Sequence, residues 1–109
     1  MRTIDTSVFR ELQASAGSDF VQELLDTFIQ EAPLMLAQLR RSRDSESAES
    51  FRRAAHSLKS NAQAFGAEAL ANHARELELR GLPAEAAALE RLESACEAAV
   101  KALQELARA

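Results

Sequence analysis

The residues best suited to do chemistry lie in one stretch of the chain, Ala55 to Leu70, where Lys59 follows His56 by about one helical turn. A neutral imidazole is abundant near pH 7 and is a competent nucleophile. Arg52 and Arg53 precede the histidine by one turn, and no acidic residue lies among these positions or in the following turn. A nucleophile in a locally basic patch suits the handling of a phosphoryl group, whose negative charge the cations would offset.

Helical periodicity sets His56 apart from the apolar residues of the same stretch. At about 100° per residue, one narrow arc of the helix holds the apolar positions Phe51, Ala55, Leu58, Ala62 and Phe65. His56 lies roughly 140° from the centre of that arc, on the side that also carries Lys59, Ser60 and Gln63. We therefore predict an exposed histidine. Ser60 and Gln63 would border a phosphate held there without blocking it.

Composition favours a single acidic domain that binds other proteins. The chain has 109 residues, a formal net charge of -4 and only 5% aromatic residues, which disfavours a nucleic-acid partner. No apolar run is long enough for a membrane span or a signal peptide, so we expect no membrane insertion and no export signal. The single cysteine, Cys96, is predicted to be a buried small hydrophobe, which fits a reducing cytoplasm.

The sequence predicts an all-α fold. Ala, Leu, Glu, Gln and Arg dominate, and β-branched residues are few. The predicted order is a short helix from Asp5 or Thr6 to Ser15, a long helix from Ser18 that Pro33 kinks or breaks, a helix from the Asp44 to Ser47 turn to about Phe65, one from Ala67 to Gly81, and one after Leu82-Pro83. Short connections favour an antiparallel up-down-up-down four-helix bundle with an additional short N-terminal helix, spanning residues 1–109 as one domain.

Two further leucines on the long helix bear on the surface of the bundle. The inward-facing row of this helix is predicted to include Leu24 together with Val21, Leu25 and Phe28. Leu34 falls roughly 140° from that row, and pairing across the next turn brings it near the level of His56. It is either an exposed docking contact or a residue covered by the N-terminal helix.

Other kinds of site find little support in the sequence. The glycines are isolated, and no glycine-rich loop precedes a Lys-Ser or Lys-Thr pair, so the chain should have no nucleotide-binding or kinase activity of its own. His56 and His73 lack the spacing of metal ligands, which predicts no metal site. His73 is interpreted as a partly buried structural residue.

The sequence resembles the histidine-containing phosphotransfer (HPt) domains of multistep phosphorelays. The resemblance rests on His56-Ser57-Leu58-Lys59, Ser60 to Ala62, Phe65-Gly66-Ala67 and Leu70, and more loosely on Glu31-Ala32-Pro33 and Leu77-Glu78. It covers most of the chain, and its central motif is the specific part.

This resemblance implies a role for each matching position. His56 would accept a phosphoryl group on Nε2 from the aspartate of a receiver domain, or of a hybrid sensor kinase, and transfer it to another receiver. Lys59 would steady the phosphoryl charge, and Gly66 would be structural. The partner would supply Mg²⁺, so no cofactor is expected in this chain, which we expect to be a cytoplasmic monomer. The arginines Arg52 and Arg53, with Leu34, are candidate docking residues.

The sequence departs from the family pattern beside the histidine. Ser60 stands where the family usually has glycine, and Asn61 replaces a small residue, so we expect retained but altered transfer. Two alternatives remain open. The chain could be a helical docking or adaptor module that takes no phosphate, or the phosphoacceptor module of a chemotaxis-type or hybrid kinase.

Overall fold

A computed structural model describes all 109 residues, and it contains five α-helices and no strands. The helices are α1 (Thr6–Ala16), α2 (Ser18–Asp44), α3 (Ala48–Phe65), α4 (Glu68–Arg80) and α5 (Ala86–Arg108). The all-α prediction is confirmed, and each predicted helix is present. None of the five helices combines the length and apolar character that a membrane crossing requires.

The short helix α1 is capped and tied to the end of α3. The Asp5 carboxylate accepts a hydrogen bond from the backbone N–H of Ser7, which satisfies one of the free donors of the first turn. The backbone N–H of Asp5 donates to the carbonyl of Gly66 over 2.7 Å. Gly66 adopts the left-handed conformation (φ 77°), as predicted, and ends α3.

One hydrophobic core joins all the helices. It contains Phe9 from α1, Leu25 and Leu39 from α2, Leu58 from α3, Leu70 from α4 and Leu92 from α5, each fully buried. Helix α3 packs against both α2 and α4, and α5 packs against α4 and α2. His56 is therefore carried on a helix that has a neighbour on either side. Cys96 is buried in the core, as predicted.

Helix α2 corrects two details of the sequence interpretation. Pro33 lies inside a single continuous helix, so the alternative of a broken helix is wrong. Leu24 was expected to face inward, yet it is 38% exposed, while its neighbours Val21 and Leu25 are buried. Leu24 lies at the edge of the apolar row, roughly 100° from Leu25. The neighbouring helices cover the centre of the row, so the residue at its edge stays partly exposed.

Candidate functional site

His56 lies midway along α3 and is exposed. Its side chain retains 59% of its accessible surface, while Ala55 and Leu58 on the same helix are buried. The position predicted from the helical pattern is confirmed. The imidazole is held by one hydrogen bond, between Nδ1 and Oε2 of Glu78 on α4, over 2.6 Å. Nε2 makes no hydrogen bond within the chain.

Glu78 joins His56 to Lys59. Its second oxygen, Oε1, accepts a hydrogen bond from Lys59 Nζ over 2.6 Å. The Lys59 and Glu78 side chains are only 20% and 23% exposed, so water screens this ion pair less than a pair on the open surface. The hydrogen bond from Lys59 lowers the pKa of Glu78; partial burial opposes it, and the bond to His56 adds to it.

This arrangement fixes which ring nitrogen carries the proton when the imidazole is neutral. An ionised carboxylate can only accept hydrogen bonds, so Nδ1 of His56 must donate to Glu78. The lone pair of the neutral ring is then on Nε2, which points away from this carboxylate. The site presents an oriented nucleophilic nitrogen at the surface, with a carboxylate behind the ring to stabilise a positive charge that develops there.

The residues that depart from the family pattern leave the imidazole uncovered. Ser60 is exposed and makes no hydrogen bond to His56, and Gln63, one turn further on, is also exposed. The Asn61 side-chain amide donates to the Ser57 carbonyl over 2.8 Å, so this side chain is bonded back to its own helix. Ser60 and Gln63 thus lie on the exposed face of α3, as the helical pattern predicted.

The two candidate docking arginines separate to opposite sides of α3. Arg52 turns towards the end of α4: a Cβ added at Gly81 would lie 3.1 Å from its guanidinium nitrogens. Arg53 turns towards α2 and pairs with Glu49 over 2.7 Å. The basic patch expected from the sequence is therefore divided, and Glu78 brings a negative charge to the side where Lys59 lies.

Leu34 is exposed rather than covered. It retains 67% of its surface, and the N-terminal helix does not shield it. It lines a groove between α2 and α3 together with Arg53 and Ser57, the residue that follows His56. Leu34 therefore lies near the level of His56 along the bundle, as predicted.

Gly66 has a structural position, away from the imidazole. A Cβ at this residue would lie 2.7 Å from the Asp5 carbonyl oxygen and 2.9 Å from the Val8 Cβ. Both the positive φ and the close approach of α1 require glycine here. His73 is partly buried, as interpreted from the sequence, and the structure contains no group of three potential metal ligands.

Glu78 is the site residue that the sequence reasoning missed. Leu77-Glu78 was noted only as part of the family resemblance. One feature of the sequence could have pointed to Glu78: it follows the inward-facing Leu77 and so lies at the edge of the buried face of α4. A short turn connects α4 to α3, so the two helices were expected to pack together. Periodicity within one helix does not say which residue of the next helix lies opposite.

Comparison with known protein families places the chain in one of them. A family model described as "Hpt domain" matches residues 23–108, and the chain belongs to the Hpt domain family. Comparisons with curated proteins and with solved structures gave no match. At the level of the family, the domain is a helical bundle that acts in histidine phosphotransfer in phosphorelays and interacts with receiver domains.

Proposed function

We propose that this protein is a phosphorelay intermediate in which His56 is the phosphoacceptor. The observation that carries the proposal is the exposed imidazole whose Nδ1 is bound by Glu78 and whose Nε2 is free. Its donor would be the phosphorylated aspartate of a receiver domain or of a hybrid sensor kinase. The final acceptor would be the receiver aspartate of a response regulator.

The transfer step follows from the orientation of the ring. The Nε2 lone pair attacks phosphorus, the Nε2–P bond forms, and the bond from phosphorus to the donor aspartate oxygen breaks, releasing an aspartate carboxylate. The ring gains positive charge while Nδ1 keeps its proton. Glu78 accepts the hydrogen bond from Nδ1 throughout, and its negative charge stabilises the phosphorylated ring. Transfer to the next aspartate reverses these steps.

Lys59 is proposed to balance charge at the phosphoryl group. Its ammonium is one turn from His56 and bonded to the same carboxylate. Phosphorylation adds negative charge on the exposed side of the ring, and the flexible lysine stem can move the ammonium towards it. Ser60 and Gln63 would border the phosphoryl oxygens. Mg²⁺ would come with the receiver, since phosphoryl transfer depends mainly on positioning and on charge neutralisation.

The wider setting is part of the proposal. Residues 1–109 would form one domain, because α1, which lies wholly outside the family match, is bonded through Asp5 to the end of α3. The short connections support an up-down-up-down order of α2 to α5, with α1 added at one end. The protein would act as a monomer in the cytoplasm.

A phosphotransfer profile tests the function. The full chain is incubated with each phosphorylated receiver domain of its own cell, and the label on the chain is followed over time. We expect at least one receiver to give phosphate that is stable in base and labile in acid, as phosphohistidine is. The His56→Gln variant should take none.

The matched control is His73→Gln, which alters the partly buried histidine and should keep the label. Label that persists in His56→Gln, or no label from any receiver, would reject the proposal. Binding to a receiver that survives His56→Ala, without any transfer, would instead support a docking module that takes no phosphate.

A further inference from the structure

Arg52 lies on the same side of α3 as His56, one helical turn before it. The two residues are four positions apart, a spacing at which side chains on the surface of a helix come within reach of each other. Both side chains are exposed. A negatively charged group added to the imidazole would therefore lie within reach of the Arg52 guanidinium.

Contact with α4 fixes where this guanidinium rests. A Cβ added at Gly81 would lie 3.1 Å from both Nε and Nη2 of Arg52 and 3.5 Å from Cζ, so the guanidinium lies against the glycine. Gly81 follows Glu78, the residue that holds the imidazole, by three positions, which is about 4.5 Å along α4. The guanidinium therefore rests about one helical turn from the level of the His56 ring.

Arg52 is the one cation of α3 that is not bonded to a carboxylate. Lys59 donates to Glu78 over 2.6 Å. Arg53 pairs with Glu49 over 2.7 Å, on the side of α2. Arg52 has no ion pair and rests at the C-terminal end of α4, where the helix dipole attracts a positive charge only weakly. Moving Arg52 should therefore cost less than moving Lys59, which has to release its carboxylate.

Phosphorylation of His56 would create a need for such a cation. A phosphoryl group brings up to two negative charges and three oxygens that accept hydrogen bonds. Lys59 can turn towards these oxygens only by giving up part of its bond to Glu78. The guanidinium of Arg52 carries donors in a planar fork that matches two oxygens of a phosphate. Both its charge and its shape suit the phosphorylated ring.

We propose that Arg52 is a phosphoryl-binding residue, whose guanidinium moves from Gly81 to donate to the phosphoryl oxygens on Nε2 of His56. This inference rests on the proposed function. It gives Arg52 a different task from docking, because the guanidinium contacts the transferred group and not the receiver. Since these hydrogen bonds exist only after phosphorylation, they stabilise the phosphorylated chain and shift the transfer equilibrium towards it.

The equilibrium of transfer between the chain and one receiver tests this. Both proteins are kept at concentrations below the dissociation constant of their complex, so the equilibrium constant depends only on the free proteins. A residue that acts in docking alone changes the forward and reverse rates by the same factor and leaves this constant unchanged. Arg52→Gln should lower the equilibrium constant for phosphorylation of the chain about three- to tenfold, as expected for an exposed hydrogen bond between charged groups.

Two further variants control for charge and for folding. Arg52→Lys keeps the charge without the planar fork, so it should retain part of the effect. Arg91→Gln removes the same charge from another exposed arginine without an ion pair, on α5, which packs against α4 and α2. This matched control should keep the wild-type equilibrium constant. Urea denaturation checks that each variant is folded.

A second measurement needs no receiver. The chain is labelled with phosphoramidate, a small phosphoryl donor, and the phosphoryl group is titrated by phosphorus NMR. A cation bonded to the phosphoryl oxygens favours the dianion and so lowers the pKa of that group. Arg52→Gln should raise this pKa, and Arg91→Gln should leave it unchanged. A purely structural or docking role of Arg52 would not move it.

Each failure has a separate meaning. A wild-type value of either the equilibrium constant or the phosphoryl pKa in Arg52→Gln, or an equal change in Arg91→Gln, would overturn the inference and leave His56 as acceptor. No transfer from any receiver to the wild-type chain would reject the proposed function itself. The titration of the phosphoramidate-labelled chain would then still show whether Arg52 binds the phosphoryl group.

Discussion

The two flanks of α3 differ in the contacts that they make with the neighbouring helices. Towards α4, Glu78 bonds both His56 and Lys59 over 2.6 Å, and the Arg52 guanidinium lies beside Gly81 without an ion pair. Towards α2, Leu34 and Arg41 line an open groove. On the α4 side the His56 ring is held before any partner arrives, whereas on the α2 side Leu34 is 67% exposed and Arg41 forms no ion pair.

Under the proposed function, this difference would separate the reactivity of His56 from the recognition of its partner. The α4 flank orients the imidazole and sets its tautomer, which must be in place before phosphorus approaches. No residue of the α2 flank makes a hydrogen bond to the ring, so changes there should leave the orientation of the nucleophile unaltered. A change on the α4 flank should therefore alter the rate of reaction with every phosphoryl donor, including a small molecule such as phosphoramidate. A change on the α2 flank should alter the rate only when the donor is a protein.

Glu78→Gln should have the largest effect on the α4 flank. An amide can donate as well as accept and carries no charge, so it no longer requires a proton on Nδ1 and no longer stabilises the phosphorylated ring. We expect transfer from a receiver and labelling by phosphoramidate both to fall by about 10- to 100-fold. Single-turnover rates with the two donors measure this.

The control for that change is Glu76→Gln on the same helix, whose carboxylate pairs only with Arg80 and is 62% exposed. It should react at the wild-type rate. If Glu78→Gln slowed the receiver reaction but left phosphoramidate labelling unchanged, Glu78 would belong to recognition, and the separation of the two flanks would fail.

Lys59→Met should have a smaller effect on transfer, about fivefold, because it removes one cation but keeps the oriented imidazole. It should also raise the pKa of Glu78, since the Lys59 hydrogen bond is the main cause of its lowering. A side-chain NMR titration of the Glu78 carboxylate follows this directly. Lys101→Met, on α5, is the control and should leave that pKa unchanged.

The hydrogen bond from Lys59 to Glu78 should make the unfolding free energy depend on pH. The pKa of Glu78 is lower in the folded chain than in the unfolded chain, so its contribution is complete above the unfolded pKa and is lost as pH falls through the folded pKa. We expect Lys59→Met to cost about 1 kcal/mol of unfolding free energy at neutral pH. This difference should shrink on acidification in urea titrations. A cost that is independent of pH would contradict the link to Glu78.

The sequence anticipated features that a single helix determines. The exposure of His56 and the burial of Leu58 follow from periodicity, and the left-handed cap at Gly66 follows from backbone sterics. The partner of Lys59 depends instead on how α4 is rotated against α3, which no local pattern states. The opposite directions of the Arg52 and Arg53 side chains have the same origin. Consecutive residues on a helix point about 100° apart, and the packing of α3 between α2 and α4 leaves Arg52 beside α4 and Arg53 beside α2.

Gly81→Ala should have the smallest effect on transfer, within about twofold, although it disturbs the α4 flank. Gly81 has φ 64° and ψ -151°, a conformation that alanine rarely adopts, so we expect a loss of about 1 to 3 kcal/mol in unfolding free energy.

Gly17→Ala is the matched control, because Gly17 also has a positive φ (93°) but nothing lies within 4 Å of an added Cβ. The new methyl at residue 81 would meet Arg52 at 3.1 Å, and a flexible guanidinium can move aside. Urea denaturation of the two variants gives the cost of strain, and transfer rates show whether Arg52 supports the site. A tenfold loss of transfer in Gly81→Ala alone would mean that the contact of Arg52 with α4 positions Glu78, which would extend the reactive flank along the helix to this glycine.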